Sequence, residues 1–317
     1  MNSTVDMIAY DHGIYALDSG LVRRRLTAIH VVVERGHAAI VDTGGSRSAP
    51  RVLDALEQLG VPPHNVDYVM LTHVHLDHAG GAGALMQQFP NAELTVHPRG
   101  ARHVVDPSRL VEGTIAVYGE DYMDRVYGPV VPVPAHRVIE TPHESRIDLQ
   151  GRELVFFDTP GHARHHVSIW DARARAIFAG DTFGLAYTEL DDPHQRYIFP
   201  TTSPTQFDPA AAHRSLDLIT GLAPIAAYVA HFGEVRDVPA RADDLRRLID
   251  AHAELGRAGK DTGDARRERL RAGVKRLALA EAQRRGWEHR SDEVYELMAD
   301  DIELNALGLA CWLDAMP

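Results

Sequence analysis

Cysteine, lysine and long apolar runs are scarce in this sequence, and each shortage excludes a class of protein. Cys311 is the only cysteine, which excludes an internal disulfide and any cysteine-rich zinc or iron–sulfur site. No stretch reaches the roughly 18 apolar residues that a membrane-spanning helix needs. Residues 1–11 lack the basic patch and apolar segment that are typical of a secretory signal. These absences predict a cytoplasmic protein that neither crosses nor binds a membrane.

The balance of charge is acidic, and it argues against one kind of partner. The 317 residues include 33 basic and 45 acidic side chains, so the formal net charge is −12. DNA would be repelled by that average field, and we expect no nucleic-acid partner. Apolar residues make up 44% of the chain, which is enough for one large buried core or two smaller ones. The unusual feature of the composition is its 19 histidines.

Short strands and helices follow one another through the first two thirds of the chain. The β-branched and aromatic runs predict strands, and apolar residues at intervals of three and four predict helices. The order predicts an α/β protein in which helices pack on a sheet, and the second half repeats the order of the first. The predicted strands are 29–33, 38–41, 66–71, 93–96, 153–157, 167–170, 176–179 and 226–230, and the predicted helices are 52–59, 80–89 and 210–222.

Two segments depart from this pattern. Residues 99–145 carry Tyr118, Tyr122 and Tyr127 and then a proline-rich stretch at 129–134, which predicts a helical insertion with an irregular return. From 239 onward the chain reads as amphipathic helices. We therefore predict a main domain over 1–238 and a C-terminal helical subdomain over 239–317. The helices are expected either to pack on the main domain or to form a homodimer contact.

The most informative segment is the run that contains His73, His75, Asp77 and His78. In an extended chain His73 and His75 project to the same side, because side chains alternate along a strand. Three imidazoles and a carboxylate buried together would be unsatisfied, and the imidazoles would repel one another once protonated. Nitrogen and oxygen ligands of this kind suit zinc, with iron and manganese as alternatives. The segment therefore predicts a metal site.

Further donor residues follow later strands. His162 comes after the strand 153–157, Asp181 after the strand 176–179, and His231 after the strand 226–230. Loops at the strand ends of such sheets converge on one crevice, so residues that are distant in sequence can share a site. Asp42 lies in a turn before the histidine-rich run and is expected to hydrogen-bond one of its imidazoles.

The sequence resembles the metallo-β-lactamase superfamily in these motifs over about residues 7–235. The resemblance implies a four-layer αβ/βα sandwich, here followed by the C-terminal helical subdomain. It implies one divalent metal ion on His73, His75 and His162, and a second on Asp77, His78 and His231. Asp181 would bridge the two ions, which are zinc in the first instance and iron or manganese otherwise.

This ligand set implies a dinuclear hydrolase of the glyoxalase II and lactonase branch. A hydroxide bridging the metals would attack a small ester, thioester, lactone or phosphodiester, and Asp77 would orient it and pass a proton to the leaving group. Tyr187 is expected to reach the substrate. Two alternatives remain at this level: a mononuclear-iron persulfide dioxygenase on His73, His162 and Asp181, and a non-catalytic binding protein.

Overall fold

The computed structural model describes residues 5–191, 196–202, 204–259 and 261–316, and its contacts divide the chain into two compact units. Unit 1 consists of Met1–Asp158, His165–Gly180 and Pro224–Glu234. Unit 2 consists of Thr159–Arg164, Asp181–Ala223 and Val235–Pro317. The division of the chain at residue 238 stays a prediction.

The first sheet of unit 1 has seven strands that are hydrogen-bonded in chain order. The first four strands pair antiparallel, and the last three join in parallel. The predicted strands 29–33, 38–41, 66–71 and 93–96 are confirmed to within a residue, whereas the first two strands and the seventh were not predicted. The strands are β1 (Met7–Ala9), β2 (Ile14–Asp18), β3 (Ala28–Glu34), β4 (His37–Val41), β5 (Val66–Met70), β6 (Glu93–Val96) and β7 (Val138–Glu140).

The second sheet packs against the first through a shared apolar core. Val32 and Met70 of the first sheet and Phe156 and Phe178 of the second are fully buried in that core. The strands lie in the order β15-β14-β11-β10-β9-β8. The strands β8 to β11 pair antiparallel with their neighbours in this series, and β11 pairs with β14 in parallel. They are β8 (Ser145–Leu149), β9 (Arg152–Asp158), β10 (Val167–Asp171) and β11 (Ala176–Gly180), with β14 (Ala226–Val229) and β15 (Gly233–Val235) later in the chain.

Helices cover the other face of the first sheet. Val52 and Leu56 of the first helix and Leu85 of the third are buried against Val69 and Leu94 of the sheet. Residues 99–145 are largely helical, with a π-helical turn at Met123–Tyr127 before the chain returns to β7. That they form an insertion stays a prediction. The helices are α1 (Ala49–Gln58), α2 (Leu76–Ala79), α3 (Ala82–Gln88), α4 (Pro98–Val105), α5 (Ser108–Tyr118) and α6 (Glu120–Tyr122).

Unit 2 is mainly helical, with one small two-stranded sheet formed by β12 (Leu185–Ala186) and β13 (Ile198–Phe199). Its helices bury one face each, as the amphipathic pattern predicts. Met298, at φ −99 and ψ 9, separates the last two helices of the unit. No helix in the described part of the chain is long and apolar enough to cross a membrane. The helices are α7 (Pro209–Gly221), α8 (Val238–Arg257), α9 (Gly263–Arg284), α10 (Ser291–Leu297) and α11 (Ala299–Asp314).

Candidate metal centre

The histidine-rich run lies at the carboxyl end of β5, where the chain leaves the sheet and turns into α2. His75 is extended at φ −64 and ψ 151 and precedes the first residue of that helix. His73 and His75 project together, since His73 Nε2 lies 3.1 Å from His75 Nδ1. The alternation expected from the sequence therefore places two imidazole nitrogens side by side.

A second set of donor atoms converges on the carboxylate of Asp77. His78 Nε2 lies 3.1 Å and His231 Nε2 lies 3.3 Å from the same oxygen, Asp77 Oδ2. His231 follows β14, so residues more than a hundred and fifty positions apart meet at this edge of unit 1. Asp77, His78 and His231 offer ligand atoms that all lie within 4.8 Å of one another.

The spacing of these donor atoms fits a transition-metal ion. Zinc binds imidazole nitrogen and carboxylate oxygen at about 2.0–2.2 Å, so ligand atoms around a tetrahedral ion lie roughly 3.3 Å apart. The separations of 3.1 and 3.3 Å around Asp77 match that edge length. Two imidazole nitrogens and one carboxylate are also the kinds of ligand that a divalent zinc ion binds.

Asp42 holds His78 in place from behind. His78 Nδ1 and Asp42 Oδ2 lie 3.1 Å apart, which leaves His78 Nε2 directed at Asp77. Asp42 also accepts hydrogen bonds from the Thr72 backbone N–H at 2.8 Å and from the Thr72 hydroxyl. The expected contact between Asp42 and an imidazole is confirmed. The role of Thr72 was missed, although its position directly before His73 was a signal for it.

A glycine allows the Asp42 turn to approach the start of α3. A Cβ atom at Gly81 would lie 2.7 Å from the Gly45 carbonyl oxygen and 2.8 Å from that of Thr43. Gly81 N–H donates to the Gly44 carbonyl at 2.8 Å. The close approach fixes the distance between Asp42 and the residues of α2.

Electrostatics keep two of the candidate ligands, Asp77 and His75, in the protonation states that a metal needs. Burial opposes the ionisation of Asp77, but the charges and hydrogen bonds of His78 and His231 hold the pKa of that carboxyl well below its usual range. Burial lowers the pKa of His75 to about 4. The carboxylate is therefore ionised and the His75 imidazole neutral at physiological pH, as metal ligands must be.

His165 and His166 pack around the site. The His166 ring stacks on His73 with ring centroids 5.1 Å apart. His165 Nδ1 accepts a hydrogen bond from the Val74 N–H at 3.4 Å. Burial lowers the pKa of His165 to about 3, so this ring supports the segment as a neutral group.

The other two expected ligands, His162 and Asp181, belong to unit 2. His162 Nε2 lies 3.6 Å from Asp181 Oδ2, and both line a hollow of that unit. Thr182 donates its hydroxyl to the Thr159 carbonyl at 2.7 Å, which ties the two loops together. The apolar walls of the hollow are Pro200, Phe207, Ala212, Leu245 and Ile249.

Tyr187 also lies in unit 2, where its side chain is nearly enclosed. Its hydroxyl donates to Asp301 Oδ2 at 2.7 Å, and its ring meets Tyr197 edge-on at 5.8 Å between centroids. The residue is 2% exposed. A role for Tyr187 in substrate binding stays a prediction.

A family model described as the metallo-beta-lactamase superfamily matches residues 22–248. The chain belongs to the metallo-beta-lactamase superfamily. The match spans the strands from β3 to β15 and the expected ligands. The family's α/β fold of mixed sheets flanked by helices, with a C-terminal helical region, is confirmed. Members of the superfamily are typically hydrolytic metalloenzymes, and their fold implies binding of divalent metal.

Relatives share this fold at low sequence identity. The crystal structure of the archaeal superfamily protein ST1585 from Sulfolobus tokodaii covers 95% of this chain and 99% of its own, with a TM-score of 0.64 and 23% identity. A hydroxyacylglutathione hydrolase of Aeromonas hydrophila is 26% identical over 49% of this chain and 45% of its own length. An N-acyl homoserine lactonase of Bacillus thuringiensis is 28% identical over 44% of this chain and 46% of its own.

Proposed function

We propose that the protein is a dinuclear metal-dependent hydrolase of small ester, thioester, lactone or phosphodiester substrates. One divalent ion would be held by His73, His75 and His162. The other would be held by Asp77, His78 and His231, and Asp181 would serve both. Zinc suits this nitrogen and oxygen donor set best, and iron or manganese would also fit it.

The observation that carries the proposal is the convergence of Asp77, His78 and His231 in unit 1. Their donor atoms are separated as the ligands of one metal ion are. The Asp42 carboxylate fixes the orientation of His78 from the far side, an arrangement that recurs around metal-bound histidines. A cluster that only stabilised the fold would not need two segments, α2 and the residues after β14, to direct donor atoms at one point.

The chain's own residues determine what the site could do with a bound substrate. Two divalent ions supply an activated water and a positive field for the oxygen that becomes negative during hydrolysis. The side chain of Asp77 is 28% exposed. Its carboxylate can accept a proton from the attacking water and then donate it to the leaving group. The buried imidazoles exclude bulk water from the other side of the site.

Two of the relatives support an order for the substrates to be tested. The hydroxyacylglutathione hydrolase and the N-acyl homoserine lactonase are named for a thioester and a lactone. Both bonds join an acyl carbon to a sulfur or oxygen leaving group. We therefore place acyl thioesters and lactones first in the substrate panel, with esters and phosphodiesters after them.

Metal analysis joined to a substrate panel tests the proposal. Elemental analysis of purified protein should find about two transition-metal ions per chain, and Asp181→Ala should lower the occupancy of both sites. Loss of only one ion in that variant would contradict the bridging role of Asp181. Hydrolysis of at least one panel member should proceed without oxygen. If iron-loaded protein instead consumed oxygen with glutathione persulfide, at a rate that His231→Ala hardly changed, that result would contradict the hydrolase proposal and favour a dioxygenase.

A further inference from the structure

The helical insertion of unit 1 brings a tyrosine to the Asp77 edge of the metal centre. Tyr127 is the last residue of the π-helical turn Met123–Tyr127. It shares one buried apolar cluster with Met123, Leu21 and Leu76. Leu76 lies between His75 and Asp77 in the chain, so the cluster is built directly beside the candidate ligands. Single π-helical turns occur frequently at functional sites.

The insertion is fixed against the same loops that carry the ligands. The Ser46 hydroxyl donates to the Gly80 carbonyl at 3.2 Å and also to the Pro129 carbonyl. The Tyr127 backbone lies against Gly45, where a Cβ atom would come within 2.9 Å of the Tyr127 carbonyl oxygen. Tyr127 is therefore held in a defined position relative to α2 and is not the tip of a loose loop.

The Tyr127 hydroxyl is available to a bound molecule. The residue is 8% exposed. Its hydroxyl forms no hydrogen bond with any other residue that the structure describes, and the hydroxyl oxygen is not sealed off from solvent. Burial first, and then the negative charge of Asp77, raise the pKa of Tyr127 well above its ordinary value. The phenol therefore remains a hydrogen-bond donor at physiological pH.

An aromatic row leads from Tyr127 toward solvent. Tyr122 meets Tyr127 edge-on at 6.1 Å between ring centroids, and Tyr118 stacks on Tyr122 at 4.8 Å. Tyr118 is 38% exposed and its neighbour Val117 is 49% exposed. The rings of Tyr118 and Tyr122 offer a flat apolar surface, and the hydroxyl of Tyr127 offers a polar group at the buried end of the row. It suits a ligand with an apolar chain attached to a polar acyl group.

We propose that Tyr127 is a substrate-binding residue of this centre, which donates a hydrogen bond to the acyl group of an apolar acyl substrate. Tyr122 and Tyr118 would receive the apolar chain of that substrate. The proposal rests on the proposed hydrolase function, and it narrows the substrate class to acyl thioesters, lactones or esters with a medium-length apolar chain. Phosphodiesters lack such a chain and would be poor substrates.

The test compares Tyr127→Phe, which removes only the hydroxyl, with Tyr15→Phe as a matched control. Tyr15 lies in β2 on the same unit, away from the insertion. For hexanoyl and octanoyl substrates Tyr127→Phe should lower kcat/KM roughly fivefold to tenfold, the worth of one hydrogen bond. Tyr15→Phe should leave kcat/KM unchanged. Tyr122→Leu should raise KM for octanoyl substrates more than for acetyl substrates.

A binding measurement separates this proposal from the hydrolase function. Calorimetry with octanoate as the probe should show affinity reduced severalfold in Tyr127→Phe, with the same metal content and melting temperature as the wild type. If the wild type hydrolyses no panel member but binds octanoate through Tyr127, the hydrolase proposal fails and the tyrosine proposal stands. If Tyr127→Phe matches the wild type in both kcat/KM and octanoate affinity, the tyrosine proposal is overturned.

Discussion

Two clusters of buried polar side chains, one in each unit, are arranged in opposite ways. In unit 2, Glu281 is 2% exposed and faces Arg285 at 3.0 Å, and Arg285 also reaches Asp244 at 3.2 Å. Each of these three charges meets a charge of the other sign. In unit 1, Asp77 Oδ2 meets nitrogens of His78 and His231, and imidazole nitrogens are common metal ligands. The first arrangement is complete without a ligand, whereas the second would gain a further partner from a cation.

This contrast shows how to separate structural from functional polar groups. In a network of paired charges such as that around Glu281, removal of one partner leaves another charge buried and unpaired. Substitutions in such a network are therefore expected to lower the free energy of unfolding more than they lower activity. Substitutions of donor atoms that converge from separate segments are expected to lower ligand binding and activity more than they lower stability. The four predictions below test that division, in order of decreasing expected effect.

The largest effect is expected from breaking the paired network of unit 2. Glu281→Gln leaves Arg285 buried without one of its carboxylates, so the free energy of unfolding should fall by about 3 kcal/mol. Denaturant unfolding measures this, and Glu254→Gln on the exposed face of α8 is the control. Metal content should not change. A loss below about 1 kcal/mol, as for a surface ion pair, would remove the contrast between the units.

The matching change in unit 1 should affect turnover more than folding. Asp77→Asn keeps the shape of the side chain but removes its charge and basicity, so kcat should fall about 10²-fold or more. Steady-state kinetics on the best panel substrate, beside a melting curve, check this result. Asp54→Asn, an exposed carboxylate on α1, should behave as the wild type. An Asp77→Asn enzyme with full activity would contradict the catalytic role.

Acid should destabilise unit 2 through a buried neutral histidine. His252 is fully buried in α8, donates from Nδ1 to the Leu248 carbonyl at 2.7 Å, and has its pKa lowered by burial from 6.5 to about 4. The unfolded chain therefore binds this proton more readily, so stability falls as the pH drops from 6.5 toward 4.

The size of this effect is measured by difference. Between pH 7 and pH 5 the wild type should lose about 2 kcal/mol more unfolding free energy than His252→Leu, which cannot titrate at this position. Urea unfolding of both proteins at both pH values gives the four unfolding free energies that this comparison requires. Equal losses in the two proteins would show that His252 takes up its proton in the folded state as easily as in the unfolded chain.

The smallest effect is expected behind the metal centre. Asp42→Asn retains the hydrogen bond from Thr72 and a side chain that tolerates the observed φ of 60, but it removes the negative charge beside His78 Nδ1. Metal affinity should fall roughly tenfold. Competition with a chelator measures this, again with Asp54→Asn for comparison. Unchanged affinity would show that Asp42 only shapes the turn.

Most of the fold could be predicted from local patterns. The strand 93–96 matches the observed one, and the strands 153–157 and 176–179 differ by a residue at their ends. Short, nearly continuous apolar runs identify such central strands, because both of their faces are buried. The edge strands at Met7–Ala9 and Val138–Glu140 were missed, since three-residue strands carry too little pattern to detect. The break at Met298 was also invisible, because the apolar spacing continues across it.

The sequence by itself determined the family and the candidate ligands, because His73, His75, Asp77 and His78 lie within six residues and need no long-range contact to be recognised. Only the tertiary structure decided which atoms meet. It brings His231 to Asp77 and Asp42 to His78, and it places Tyr127 beside Leu76. Those contacts depend on the register of the strands and the packing of the insertion. Residue spacing along the chain does not encode either of them, because each is set by the burial of apolar side chains from distant segments.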